Sequence, residues 1–173
     1  MPATLVLGGT RSGKSAHAEG LLRADVPVRY CATARRIPGD AEWDARIAAH
    51  VARRPAHWTT VEEPDLVAEL ARPGTVMVDD LATWLTGVLD DAQAWTAPTT
   101  PQQVGGAVDA LVGAVADAAA TVVLVSAEVG LGVVPETRAG RMFRDELGAL
   151  NAALAAVCDD VVLLVAGLPL RLK

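Results

Sequence analysis

The chain reads as an α/β fold in three layers, a mainly parallel central sheet flanked by helices, on three observations. Short apolar runs of strand length recur at residues 3–7, 26–32, 75–78, 121–126 and 160–165. Helical periodicity fills most of the intervals between them, and strand alternating with helix is the pattern of a parallel sheet. The hydrophobic share of 51% is mostly Ala, Val and Leu, with one Phe and one Tyr, so the core is packed from small aliphatic side chains. Such residues suit strands buried on both faces under covering helices.

Each element follows from local chemistry. The first strand, 3–7, comes directly after Met1 and Pro2, and the first helix covers 14–24. A second strand at 26–32 precedes a helix at 40–53, for which Asp40 is a suitable N-cap. His57 falls just before a further strand that ends near the Glu62-Glu63 pair. The strand at 75–78 leads into a helix at 81–90. Pro98, Pro101 and several Thr make 94–103 a surface loop rather than a linker. Pro101 fits the first turn of a helix at 101–119. Strand 121–126, helix 137–156 and strand 160–165 follow, and the tail from Gly167 to Lys173 supplies a candidate short edge strand. At 173 residues the chain is expected to form a single domain over 1–173.

Charge and cysteine usage narrow the function. With 15 basic against 21 acidic residues the net charge is −6, which is no footprint for nucleic acid or an anionic membrane, and a small-molecule substrate is expected. Cys31 and Cys158 are far apart, each within an apolar run and without metal-type spacing, and are expected to be buried, inert thiols. No apolar run reaches the roughly 18 residues of a membrane span, and no signal-type segment opens the chain, so a cytoplasmic location is expected.

Residues Gly8, Gly9, Thr10, Arg11, Ser12, Gly13, Lys14 and Ser15 fit G-x-x-x-x-G-K-[ST] between a strand and a helix, where the mechanism needs them. The glycines let backbone N–H groups wrap around phosphates, Lys14 reaches the outer phosphates and the Ser15 hydroxyl is a ligand for Mg²⁺. The expected fold is therefore of P-loop NTPase type. A second acidic element, Val76-Met-Val-Asp79-Asp80, ends another core strand. Asp79 is the choice for the Mg²⁺-side carboxylate, while Asp80 has a plain alternative as the cap of the helix from Leu81.

On the helix expected at 40–53, Trp43, Ile47 and Val51 form an apolar stripe, whereas Glu42, Arg46, His50 and Arg54 form a polar one. Neighbouring cations would hold phosphate and disfavour imidazolium, leaving His50 a neutral nucleophile. A surface histidine in an arginine-rich helix end is the bland alternative. For His17 and His57 a structural role is the default.

Beyond these signals, a longer set of residues carries a resemblance. It comprises the phosphate loop, Tyr30-Cys-Ala-Thr33, Arg46-Ile-Ala-Ala-His50 and Arg54-Pro-Ala-His-Trp58-Thr-Thr-Val-Glu62. It continues through Val78-Asp-Asp-Leu-Ala-Thr-Trp-Leu-Thr86, Glu128-Val-Gly-Leu-Gly-Val-Val-Pro135, Arg141-Met-Phe-Arg-Asp145 and Gly148-Ala-Leu-Asn151. In these the chain resembles, nearly end to end, the bifunctional adenosylcobinamide kinase/adenosylcobinamide-phosphate guanylyltransferase family of cobalamin biosynthesis.

The resemblance implies phosphorylation of adenosylcobinamide by ATP or GTP, then transfer of GMP from GTP through a guanylylated histidine, here His50. It implies that Gly8 to Ser15 hold triphosphate, that Thr33, Ala34 and Arg35 with Val51, Ala52, Arg53 and Arg54 line the GTP site, and that Glu62 and Asp79 complete it. Lys14 joins His50 as a catalytic group. The Glu128–Pro135 stretch, after a core strand, is expected to be an active-site loop on the corrinoid side. A homo-oligomer, with a trimer as one arrangement, is implied as well.

Three positions depart from the family's pattern: Asp80 where a small uncharged residue is usual, and Gly87 and Ala127 where Asn is usual. These departures border the metal side and the active-site loop and bear on the kinase half more than on the transferase half. A P-loop kinase of another small metabolite, with His50 only a phosphate contact, is the alternative within the enzymes. A nucleotide-sensing regulatory module is the alternative outside them.

Overall fold

The computed structural model describes residues 2–35, 39 and 54–173. Its elements run β1 (Ala3–Gly8), α1 (Lys14–Leu21), β2 (Val28–Ala32), β3 (Thr59–Glu62), α2 (Leu66–Ala71), β4 (Gly74–Asp79), α3 (Leu81–Asp91), α4 (Gln102–Ala116), β5 (Ala120–Ala127), α5 (Arg138–Val157), β6 (Asp160–Val165) and β7 (Leu168–Arg171). The strands form one sheet in the order β3-β2-β4-β5-β1-β6-β7. All neighbouring pairs are parallel except β6 with β7.

Successive residues of the central strands enter opposite cores, as a pleated strand requires. Leu5, Leu7, Val76, Val78, Val122 and Leu124 pack into one cluster with Leu81, Leu85, Leu111, Leu147 and Leu150 from the helices. Val6, Tyr30, Met77, Val123 and Val125 pack into the other with Ala18 of α1. Both faces of β1, β4 and β5 are thereby dry, which is why these strands read as unbroken apolar runs rather than alternating ones. Helix α1 lies on β1 and β5 on one side; α2 to α5 pack on the sheet and on each other on the opposite side.

Caps set most helix starts. Asp65 accepts from Ala68 N at 3.1 Å, Asp80 from Thr83 N at 2.9 Å and Thr137 from Gly140 N at 3.1 Å. The α2 turn is absent from the sequence expectation because six residues give little periodicity, although Asp65, Leu66 and Leu70 carry its signal.

Helix α1 ends at Leu21 rather than at 24, since the chain turns at 22–26, with Val26 N bonded to Arg23 O, to enter β2. Pro101 sits one position earlier than expected, at the N-cap of α4, which closes at Ala116 rather than 119. The tail strand is confirmed as β7. Both cysteines are free and buried. The helix expected at 40–53 lies outside the described residues. Among the described residues no helix is long and apolar enough to cross a membrane.

Strand register decides where the site lies. Gly8 pairs with Ala127, Ala32 pairs with both Asp79 and Glu62, and Asp79 pairs with Val125. The ends of β1, β2, β3, β4 and β5 therefore open onto one carboxyl edge, the edge at which open parallel sheets bind ligands.

Candidate active site

The loop from Gly8 to Ser15 leaves the end of β1 and enters α1. Arg11 and Gly13 take left-handed conformations, with φ of 57° and 89°, and Ser12 N donates to Gly9 O at 3.2 Å. Glycine is required at position 8 for space, since a Cβ there would overlap Ser12 Oγ. Lys14 and Ser15 open α1, where the unpaired N–H groups and helix dipole favour an anion.

Asp79 closes β4 beside this loop. Its Oδ1 accepts from Ser15 Oγ at 3.2 Å, and its Oδ2 accepts from the Tyr30 hydroxyl at 2.5 Å. The convergence of Ser15 and Asp79 joins residues 64 positions apart. It follows from the strand order, in which only β5 separates β1 from β4. The Tyr30 phenol is held well above its usual range, first by burial and then by the Asp79 charge, so it stays a proton donor. Arg54 lies with its guanidinium carbon 3.4 Å over the Tyr30 ring centroid and donates to Thr60 Oγ1 at 2.8 Å. Ser12 Oγ and Arg54 Nε are buried without a hydrogen-bond partner, orphan atoms of the kind a bound ligand satisfies.

Adjacent to Asp79, Asp80 does something different. Its carboxylate caps α3 through Thr83 N, and Thr83 Oγ1 approaches it at 3.2 Å. The extra charge at this position thus serves the helix end.

Thr33 is buried and spends its hydroxyl on Asp80 O and Thr83 Oγ1, both at 2.6 Å, tying the loop after β2 to the start of α3. Ala34 follows it, and Arg35 reaches across α3 to make a two-pronged pair with Asp91 at 2.8 and 2.6 Å. Gly87 makes room for that crossing, since a Cβ there would meet the Arg35 guanidinium at 3.1–3.2 Å. Thr33, Arg35, Glu63, Trp84, Gly87 and Asp91 border a cavity of about 190 Å³. Glu62 ends β3 and is exposed at the same edge.

On the other side of the phosphate loop, Glu128 N donates to Gly8 O at 3.1 Å. The stretch that follows is pinned to α5 by arginines. Arg144 donates to Gly130 O and Gly132 O at 3.0 and 3.2 Å, and Arg141 to Pro135 O and Glu136 O at 3.0 and 2.6 Å. So held, the loop leaves Leu131, Val133 and Val134 82%, 94% and 62% exposed. Beneath it, buried Asn151 exchanges hydrogen bonds with Ser126 Oγ at 2.6 Å and Ala127 O at 3.0 Å.

Of the expected site residues, the structure brings together the phosphate loop, Asp79 and Arg54, and it puts Thr33, Ala34, Arg35 and Glu62 on the same edge. His50, Val51, Ala52 and Arg53 lie outside the described residues. The sequence reading assigned no role to Tyr30, Asn151 or Arg144. All three fall in the motifs named above, but their contacts join separate elements and leave no local signal.

The cobinamide kinase / cobinamide phosphate guanyltransferase family model matches residues 4–172. The chain is 44% identical to the bifunctional adenosylcobalamin biosynthesis protein CobP of Pseudomonas aeruginosa, covering 98% of this chain and 96% of that one. It is 38% identical to the bifunctional adenosylcobalamin biosynthesis protein CobU of Salmonella typhimurium, covering 98% of each. Among solved structures, a prototypical ATPase from the type III secretion system of pathogenic bacteria superposes with a TM-score of 0.53 at 12% identity. That match covers 95% of this chain and 51% of the ATPase, and it speaks for the P-loop NTPase fold alone. A phosphate loop faced by a strand-end carboxylate and a match that runs almost end to end lead to one conclusion: this chain belongs to the cobinamide kinase / cobinamide phosphate guanyltransferase family.

Proposed function

We propose that the chain, as a single catalytic domain, phosphorylates adenosylcobinamide with ATP or GTP and then transfers GMP from GTP to give adenosylcobinamide-GDP. The observation that carries this reading is the meeting of Ser15 and Asp79, 3.2 Å apart at the mouth of the phosphate loop. In the first step the substrate hydroxyl oxygen bonds to the γ-phosphorus while the bond to the nucleoside diphosphate breaks. In the second, a nitrogen of His50 bonds to the α-phosphorus of GTP and pyrophosphate departs. The substrate phosphate then takes the GMP and frees the imidazole. Splitting the transfer means that two highly anionic partners are never required together.

Lys14 and the backbone N–H groups of the loop hold the phosphates through both reactions. Thr33, Ala34 and Arg35, with Val51, Ala52, Arg53 and Arg54, line the GTP side, and Glu62 completes it. The donor set suits Mg²⁺: one hydroxyl and one carboxylate, both oxygen, with the remaining positions left to phosphates and water. Ser15 and Asp79 would hold it, and when bound it supplies neutralisation of phosphate charge. The loop that follows Glu128, with its exposed aliphatic residues at 131–134, is read as the corrinoid side, a reading supported by the bond of Glu128 N to Gly8 O. A homo-oligomer is part of the reading, supported by the apolar outer strand in which Leu168 and Leu170 are 72% and 54% exposed. So is a cytoplasmic location, where the nucleotide substrates are.

Intact-mass spectrometry after incubation with GTP and Mg²⁺ tests the histidine. The natural protein is expected to gain an acid-labile adduct of GMP mass, and His50→Ala none. A well-folded natural protein without adduct would leave a P-loop kinase of another small metabolite as the reading.

A further inference from the structure

We infer that Tyr30 is a positioning residue for the Asp79 carboxylate, its hydroxyl holding one oxygen so that the other faces Ser15. The inference rests on the reading of Asp79 and Ser15 as the metal side of the phosphate site.

The geometry is set by the sheet. Tyr30 pairs with Met77, and Asp79 stands two residues further along β4, so the two side chains lie on the same face as diagonal neighbours. With strands about 4.8 Å apart and a rise of about 3.3 Å per residue, such diagonal neighbours are roughly 8 Å apart at the backbone, a gap that a phenol spans. Tyr30 spans it, donating to Asp79 Oδ2 at 2.5 Å while Ser15 Oγ donates to Oδ1 at 3.2 Å.

The ring itself is fixed. Tyr30 is 1% exposed, Trp58 packs against it with centroids 6.3 Å apart, and the Arg54 guanidinium covers its face. A cation over the ring polarises the phenol and strengthens the hydrogen bond that it donates. Phenylalanine at this position would fill the same space and keep both ring contacts, yet would remove the hydrogen bond that Asp79 Oδ2 accepts. The hydroxyl is therefore unnecessary for packing, and among the described residues the one hydrogen bond it makes is to the carboxylate.

The test is titration calorimetry of an α,β-methylene analogue of GTP, which cannot be cleaved at the α-phosphorus, at graded Mg²⁺ and in EDTA. The natural protein, Tyr30→Phe and Asp79→Asn are compared, with thermal melts as the check of folding. For Tyr30→Phe the Mg²⁺ concentration giving half of the affinity gain is expected to rise about tenfold, the effect of one hydrogen bond to a charged group. Its affinity in EDTA is expected to stay within about twofold of the natural protein, because the loop that binds phosphate is untouched. Asp79→Asn is expected to lose the Mg²⁺ response.

An unshifted Mg²⁺ midpoint in Tyr30→Phe beside a lost response in Asp79→Asn would overturn the role of Tyr30 and leave the metal-side reading standing. A Mg²⁺ response intact in both would overturn the two together. An equal loss of affinity with and without Mg²⁺ in Tyr30→Phe would make its role structural and likewise overturn the inference.

Discussion

Asp80→Ala separates two carboxylates that adjoin in sequence and differ in work. Asp80 Oδ1 accepts from Thr83 N at 2.9 Å and so satisfies one of the unpaired N–H groups at the start of α3. Loss of such a cap costs about 1 kcal/mol, within a range of ~0.5–2. For a domain of this size each kcal/mol moves the melting temperature by roughly 2–4 °C. Asp80→Ala is therefore expected to melt about 2–4 °C lower, and Asp80→Asn to match the natural protein, because asparagine caps as well as aspartate. Asp79→Asn should behave in the opposite way. It keeps the shape and turns one accepting oxygen into an amide N–H₂, to which the Ser15 hydroxyl can turn as acceptor, so its melt should move little, but its nucleotide affinity should stop responding to Mg²⁺. Scanning calorimetry and titration with the α,β-methylene analogue read the two effects separately. An Asp80→Ala variant that melts with the natural protein and raises the Mg²⁺ requirement would refute this division of work, for then the carboxylate that is extra relative to the family's usual pattern would belong to the metal side.

Asn151→Leu strips partners from Ser126 Oγ and Ala127 O at the base of the active-site loop. One buried hydroxyl and one partly buried carbonyl left unpaired should lower stability by about 2 kcal/mol in urea unfolding, and a loss below ~1 kcal/mol would contradict the assignment. Burial raises the Cys31 thiol to about 12 and the Cys158 thiol to about 11, against 9.0 for an unperturbed group. The unfolded thiols ionise first, so this contribution to stability is whole below pH 9 and is lost as pH climbs through 11 and 12. Urea midpoints at pH 8 and about pH 10.5 should therefore diverge less in Cys31→Ala/Cys158→Ala than in the natural protein. Equal divergence would refute it.

The two kinds of carboxylate also show how far one chain can be read without its structure. Strand followed by a glycine-rich turn and a helix is local chemistry, so the phosphate loop from Gly8 to Ser15 and the strand-end Asp79 were legible as residues in order. The cap at Asp80 was legible as an alternative, since capping involves residues three apart. Glu62 drew its meaning from resemblance alone, and His50, first marked by the cations on its stripe, drew its guanylylated role from the same source, because a histidine or a carboxylate at a helix or strand end has many ordinary uses.

What tertiary structure decided was adjacency. Strand β5 lies between β1 and β4, and that order alone brings Ser15 within 3.2 Å of Asp79 across 64 positions. The same sheet aims the Tyr30 hydroxyl at Asp79 across 49 positions. It also lets Asn151, from a helix, secure the end of β5 through Ser126 and Ala127. Propensity, periodicity and turn chemistry act over a few residues and are written in the sequence. Strand order and the polar contacts that it permits arise from packing the whole core at once, and a linear pattern carries no term for them.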